Sequence, residues 1–306
     1  MEHEQILNHV PLRGQLKLDE AMSRHTSWRV GGSADRFYQP ADADDLANFL
    51  RQVESSEALH WVGLGSNLLV RDGGLRGTVI ALFGVLDQMH LLPDNIVEVE
   101  AGVSCAKLAR FCAKNGLVGA EFFAGIPGTV GGALAMNAGA YGGETWPKVA
   151  TVGTIDRYGQ RHRRTPADFE IDYRSVVSDR EEWFVSAQFG FVAGDAESSS
   201  QKIKQLLRQR AESQPLSLPS CGSVFRNPVN DHAARLIEAS GLKGYRIGGA
   251  SVSEQHANFI VNDSNACAAD IEQLAMDIAD KVLIDHNVRL QPEFRVVGEK
   301  GGKHAE

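Results

Sequence analysis

Residues 121–144, EFFAGIPGTVGGALAMNAGAYGGE, constrain the fold of this chain more than any other stretch. Seven glycines stand between Gly125 and Gly143, small residues fill most gaps, and charge is nearly absent. Backbone this free costs conformational entropy unless the chain must turn tightly or let a ligand approach its amides. Unpaired N–H groups in such turns form a concave nest suited to phosphate oxygens. On composition two readings stand level: a site for a pyrophosphate-bearing cofactor, or a packed Gly/Ala turn with no ligand. The common phosphate loops do not fit. A P-loop ends in Gly-Lys-Ser/Thr, and Ala133-Leu134 follows Gly131-Gly132 instead. Gly63-Leu64-Gly65-Ser66-Asn67-Leu68 begins like a Rossmann fingerprint after the strand-like LHWVGL, but Leu68 replaces the third glycine. The LLVRDGGLRG that follows reads as strand and turn, not helix, so a nucleotide site here belongs to another fold.

With 306 residues the chain can bury a substantial core, and its length predicts two or three domains. A hydrophobic share of 43% and a charged share of 23% are those of a soluble globular protein. A net charge of −8 and a pI near 5.7 argue against a nucleic-acid partner. The opening MEHEQILNHVPLRGQLKLDE carries acids and no apolar segment, so it does not read as a secretory signal. No run approaches the ~18 apolar residues of a membrane span. Cys105, Cys112, Cys221 and Cys267 show neither CxxC spacing nor clustering with histidine, so no metal is expected. These features predict a cytoplasmic protein with reduced thiols and no membrane partner.

Along the chain, HTSWRVGG (25–32) reads as a strand and turn, and Asp42 to Ser55 as an amphipathic helix burying Leu46, Phe49, Leu50 and Val53. LHWVGL and LLVRD follow as strands around the turn 65–67. A shift near Gly84 to Asp94 marks a boundary, after which NIVEVEA is a half-buried strand. Ser104 caps a helix with Leu108, Phe111 and Cys112 inward, stopped by Asn115-Gly116. Ala150 to Asp156 and Glu182 to Phe189 are strands flanking a loop with Asp172-Tyr173-Arg174-Ser175. Gly194 to Ser200 reads as a linker. The helix after it (200–212) points Ile203, Leu206 and Leu207 inward and four basic residues outward. PLSLPSCGSVFRNP is an irregular loop, Asp231 caps a short helix, HANFIVN is a strand, and Asn265 begins the longest helix. RLQPEFRVVG closes the chain as a strand.

Seven segments then occur in an order that resembles the UDP-N-acetylenolpyruvoylglucosamine reductase family. They are HTSWRVGG, LGSNLLVRDGG (64–74), GIPGTVGGALAMNAGAYGGE (125–144), DYR (172–174), GSVFRNP (222–228), VSEQHANFIVN (252–262) and PEFR (292–295). The match spans residues 20 to 298, and the glycine stretch is shared with FAD enzymes of the vanillyl-alcohol-oxidase type. The resemblance implies an α+β architecture: an FAD-binding subdomain over 1–83 joined by a C-terminal strand (about 294–306), a second over 84–196, and a substrate-binding α+β domain over 197–293. Arg174 and Ser223 lie only 49 residues apart, an interval that reads fully as strand, linker and helix, which implies the family's shorter type.

The family's reaction needs a hydride donor, NADPH acting through non-covalent FAD, and an acid for the carbon next to a carboxylate. Ser223 matches the proton donor, although a serine in Cys-Gly-Ser is ordinarily a turn residue. Arg174 matches the cation that faces the developing enolate, and Glu293 the third catalytic position, either protonated or paired with Arg174. Tyr173 would support that loop. For FAD, the resemblance implicates the amides of Gly65, Ser66 and Asn67, and of the stretch Gly125, Ile126, Gly128, Thr129, Gly131 and Gly132. Asn137 and Gly139 would lie nearer the flavin, with Thr26 and Arg29–Gly32 as further candidates. Arg226 and Asn227 would hold the diphosphate of a UDP-sugar, and Gln255 and His256 its sugar or uridine. Cys221 stands where a small filler is expected. The protein is expected to be a monomer or weak homo-oligomer. Two alternatives remain: an FAD oxidoreductase of the same fold acting on another sugar or alcohol, and a non-catalytic nucleotide-binding protein.

Overall fold

The computed structural model describes residues 11–301; positions 1–10 and 302–306 of the expected terminal ranges lie outside it. The first unit is a four-stranded sheet with Gln15–Ala21, Ser33–Gln39, Leu75–Ala81 and Leu59–Val62 in spatial order. Its first pairing is antiparallel and the other two are parallel. The connection from Ser33–Gln39 to Leu59–Val62 passes through helix α1 (Ala43–Gln52). Asp42 accepts the Asp45 amide and acids fill the positive first turn, so the helix begins there. Leu46, Phe49 and Leu50 are buried against the sheet, each contributing roughly 2 kcal/mol.

The second unit is a five-stranded antiparallel sheet, Arg161–Arg164, Val149–Asp156, Glu182–Gly190, Ile96–Glu100 and Met89–Leu92 in order. Helix α2 (Cys105–Lys114) packs Leu108 and Cys112 into its core; the Ser104 hydroxyl accepts the Lys107 amide, and Gly116 at φ +66° ends it. The glycine stretch supplies a 3-10 turn (Glu121–Gly125), helix α3 (Val130–Ala135) capped by Thr129, and a hairpin of Gly139–Ala140 with Gly143–Glu144.

The expected linker is helical instead. Helix α4 (Ala196–Ser213) starts at Asp195, which accepts the Ser198 amide. The Ser199 hydroxyl is buried and donates to the Glu121 carboxylate at 2.5 Å, and Ile203 joins the second core. The serines there are thus satisfied by a cap and a buried acid, and the helix belongs with the second core.

The remaining chain holds helix α5 (Ala233–Ala239), helix α6 (Ala268–His286) and a small antiparallel sheet of Arg246–Ile247, Ala250–Val252 and Ile260–Asn262. The α6 stripe Ile271, Leu274, Ala275, Ile278 and Val282 is buried, as its period predicts. The expected caps differ. Asp231 pairs with Arg235 rather than capping α5, and Asn227 Oδ1 accepts the Ala233 amide at 3.1 Å. Asn265 is left-handed (φ +56°), and α6 starts at Ala268, whose amide and that of Ala269 donate to Asp72. Both late strands are shorter than read: Ile260–Asn262, and Arg295–Val297 running parallel to Leu68–Val70. This last strand returns the chain to the first unit, and Arg295 N donates to Asn67 O at 3.0 Å. Trp28 Nε1 donates to Ile260 O at 2.8 Å, tying the first and third units through a buried indole. Among the described residues, no helix is long and apolar enough to cross a membrane.

Candidate active site

The loops carrying Ser66, Gly125, Gly139, Arg174, Ser223 and Glu293 line one cleft of about 380 Å³. Arg174 occupies the turn between Glu170–Asp172 and Ser175–Val177 at φ +55°, an uncommon conformation for a non-glycine residue. Its guanidinium meets three acceptors: Nε donates to Glu293 Oε1 at 2.9 Å, Nη1 to Asn137 O at 3.1 Å, and Nη2 to Gly139 O at 3.0 Å. Tyr173 stacks beneath it, with Arg174 Cζ 4.8 Å from the ring centre. Burial raises the Glu293 carboxyl above the usual glutamate range, and the charges of Arg174 and Arg226 offset this only in part. Glu293 is thus paired with Arg174, the second of the two states expected for it.

Ser223 follows Gly222, which has φ +82° and open space where a side chain would stand. Asn258 fixes the next two residues: its carbonyl accepts Val224 N, and its side chain exchanges two bonds with Phe225. Ser223 is thereby presented half-buried on the cleft wall. Cys221 is only 5% exposed, and burial, then the Glu293 charge, push its thiol well up, which makes it an inert filler.

The residues expected to hold a cofactor fall on two sides of the glycine stretch. Gly65, Ser66 and Asn67 turn against residues 125–129, so closely that a Cβ on Gly63 would lie 2.4 Å from Thr129 Oγ1. Gly65 has φ +61°, and a Cβ there would sit 2.0 Å from His25 O. Among the described residues, the amides of Gly65, Ser66 and Asn67 donate to nothing. Those of Ile126, Gly128 and Gly131 donate to backbone carbonyls, and that of Gly132 to Thr129 Oγ1. The amides of residues 65–67 are therefore free to meet an anion, while most of those in the glycine stretch are already satisfied. Thr129, Gly131 and Gly132 line a second cavity of about 320 Å³ bordered by the stacked Trp61 and Trp183. A free amide cradle between two cavities fits an extended dinucleotide.

Several expected residues act elsewhere. Asn137 is buried; its side chain accepts Trp146 N and donates to Glu144 and to Asp172 O, so it frames the Arg174 turn. Thr26 closes its own turn on Val30, and with Arg29 borders a neighbouring cavity of about 340 Å³. Gln255 donates to Ala211 O and Glu212 O at the end of α4, because helix termini leave carbonyls unpaired. His256 is packed edge-on against Phe259 and burial lowers its pKa. Neither lines the cleft. Asn227 does, while Arg226 lies behind the wall, donating to Arg174 O at 3.1 Å.

The sequence reading missed Arg210 and Tyr141. Arg210, expected outward, faces the cleft; its Nε donates to Gln214 Oε1 at 2.9 Å, and burial lowers its pKa. Among the described residues it has no carboxylate partner. Position 210 continues the inward stripe of 203, 206 and 207, which was the available signal. Tyr141 leans over Gly125 and donates to Leu206 O at 2.9 Å.

Residues 34–163 match the family described as "FAD binding domain", so fold and cradle together define a two-part FAD-binding protein with a C-terminal α+β unit. Residues 214–297 match "UDP-N-acetylenolpyruvoylglucosamine reductase, C-terminal domain". A reductase of that name from Alkalilimnicola ehrlichii is 56% identical over 94% of this chain and 96% of its own length. One from Legionella pneumophila is 53% identical, covering 94% of each chain. The crystal structure of the Thermus caldophilus reductase superposes with a TM-score of 0.80 at 30% identity, over 94% of this chain and 99% of that one. The chain belongs to the UDP-N-acetylenolpyruvoylglucosamine reductase family.

Proposed function

We propose that this cleft reduces the enolpyruvyl group of UDP-N-acetylglucosamine enolpyruvate to the lactyl ether of UDP-N-acetylmuramate, a peptidoglycan precursor, with NADPH as the source of reducing equivalents. The observation that carries this reading is the convergence of Ser223, Arg174 and Glu293 on one cleft beside the free amides of residues 65–67. FAD would be held at the amides of residues 65–67 and would supply hydride-transfer chemistry between NADPH and the terminal alkene carbon.

The chain's own residues manage charge and the proton. Hydride addition pushes an electron pair toward the substrate carboxylate, and the Arg174 guanidinium, fixed by three acceptors, meets that enolate. Ser223 gives its hydroxyl proton to the carbon next to the carboxylate and regains one from solvent, so one hydride and one proton are added across the double bond. Glu293, ionised, holds the Arg174 fork in place for the substrate carboxylate. Arg210, a cation without an ion-pair partner among the described residues, and Asn227 supply contacts for the diphosphate.

An anaerobic half-reaction experiment tests the reading. The FAD-loaded protein should bleach with NADPH and recover its oxidised spectrum on addition of the enolpyruvyl substrate. Ser223→Ala should bleach normally and recover at least ~100-fold more slowly. A wild-type flavin that stays reduced in the presence of this substrate would reject the substrate assignment and favour another oxidoreductase of the same fold.

A further inference from the structure

Ser223, Arg174 and Glu293 reach the cleft from three separate stretches of chain. Two of these are joined by backbone: Glu293 N donates to Val224 O at 2.8 Å, Arg226 N donates to Gln291 O at 2.9 Å, and Phe225 bridges Pro292. Among the described residues, no backbone hydrogen bond joins the Arg174 turn to either of the others. That turn is also strained, since Arg174 is a non-glycine residue held in the left-handed region at φ +55°. Relaxing its peptide would swing the guanidinium away from Glu293.

Besides the Arg174–Glu293 pair itself, one further side chain spans the gap. Arg226, next to the Phe225 bridge, donates from Nη2 to Arg174 O at 3.1 Å. Among the described residues its buried Nε has no partner, a desolvation that nothing offsets. An apolar side chain of similar length would avoid that cost, so fold stability alone does not account for a guanidinium here. Its directed side-chain bond goes to the residue whose backbone most needs holding.

We infer that Arg226 is a positioning residue for the protonation half of the reaction, locking the Arg174 peptide to the Ser223 loop, and not a contact for the substrate diphosphate. The inference rests on the reading of the cleft given under Proposed function. The charged or titratable groups facing Glu293 are Arg174, Arg226 and the buried Cys221 thiol. Removing Arg226 therefore lifts the Glu293 carboxyl further and displaces the acid limb of substrate-driven flavin reoxidation toward higher pH.

The test is anaerobic stopped-flow on FAD-loaded protein, following reduction by NADPH and reoxidation by UDP-N-acetylglucosamine enolpyruvate separately across pH. Arg226→Met should slow saturated reoxidation by ~10–100-fold, the scale of a misplaced catalytic group. Reduction and the apparent substrate affinity should stay within about threefold. Arg226→Lys retains charge but not the planar fork, so it should return the acid limb toward wild type while leaving reoxidation slow. A rise in substrate KM with unchanged saturated rate would overturn the inference in favour of a diphosphate contact. Equal slowing of both half-reactions would reduce Arg226 to a general structural role, and wild-type behaviour of Arg226→Met would remove it altogether. Should Arg226→Met fail to retain flavin, the same comparison is decided with Arg226→Lys. Wild-type protein that does not reoxidise with this substrate defeats the underlying reading instead, so the two failures are distinguishable.

Discussion

The Nε of Arg174 donates to the carboxylate of Glu293 at 2.9 Å, joining residues 119 apart in sequence. Both side chains are mostly buried, at 15% and 16% exposure, so neither charge is well solvated and each depends on the other. Burial raises the Glu293 carboxyl and Arg174 pulls it down, with burial the larger effect. The ionised form holds the fork with a full charge and the protonated form only through a neutral carbonyl, so substrate-driven reoxidation should weaken as pH falls through this raised value. Glu293→Gln should be slower by ~10-fold or more and lack that acid limb. A limb that persists unchanged in the variant would assign it to a different group.

Gly65 tests the cofactor cradle. An alanine there must adopt φ +61° and place its methyl 2.0 Å from His25 O. Gly65→Ala should weaken FAD binding by ~10-fold or more, since the turn must open and its free amides lose their aim. The flavin-to-protein ratio after gel filtration, and titration of the apoprotein with FAD, give the answer. Full retention of flavin would show that the amides of residues 65–67 are not the pyrophosphate site.

Arg210→Met should raise the KM for the UDP-sugar by ~10–100-fold while changing the saturated rate little, as expected for a charge that binds ground state and transition state alike. Steady-state kinetics with each substrate varied in turn separates the two parameters. A changed saturated rate with constant KM would place Arg210 in the chemistry rather than the binding.

Asp45 reports on stability. It is fully buried at the start of α1, where burial alone would raise its pKa. Hydrogen bonds from Arg13 N, Tyr38 Oη and Ala41 N outweigh burial and lower it. A folded-state value below the unfolded one means that this stabilisation is full at neutral pH and fades as pH falls through the folded-state value, below the ordinary aspartate range. Asp45→Asn should cost about 2 kcal/mol at neutral pH. Thermal melts of both proteins across acid pH should show the gap closing as the wild type becomes protonated.

Much of the fold was legible because several helices carry their own signals. α1 and α2 each pair a side-chain cap with an apolar stripe, and α6 has a stripe of regular period. Residues 194–200 misled because a serine-rich run is locally ambiguous, and its outcome depends on Glu121, 78 residues earlier, accepting the Ser199 hydroxyl. The α6 start was hidden for the same reason, since Asp72 serves it from 196 residues away. The ordered motifs named Ser223, Arg174 and Glu293, yet the acceptors around Arg174 are backbone carbonyls of Asn137 and Gly139, which no side-chain pattern announces. Gln255 and His256 were misplaced because a motif records residue type and order, not which polar group already has a partner.

The strand Arg295–Val297 begins two residues after Glu293 and pairs with Leu68–Val70, directly after the amides of residues 65–67. Asn67 Nδ2 also donates to Glu293 O at 3.1 Å, bridging 226 positions. A ribosome must therefore release both stretches, more than two hundred positions apart, before these two loops can meet. The cleft between them is closed by contacts of long sequence separation, so it forms after the local hairpins and helices that flank it.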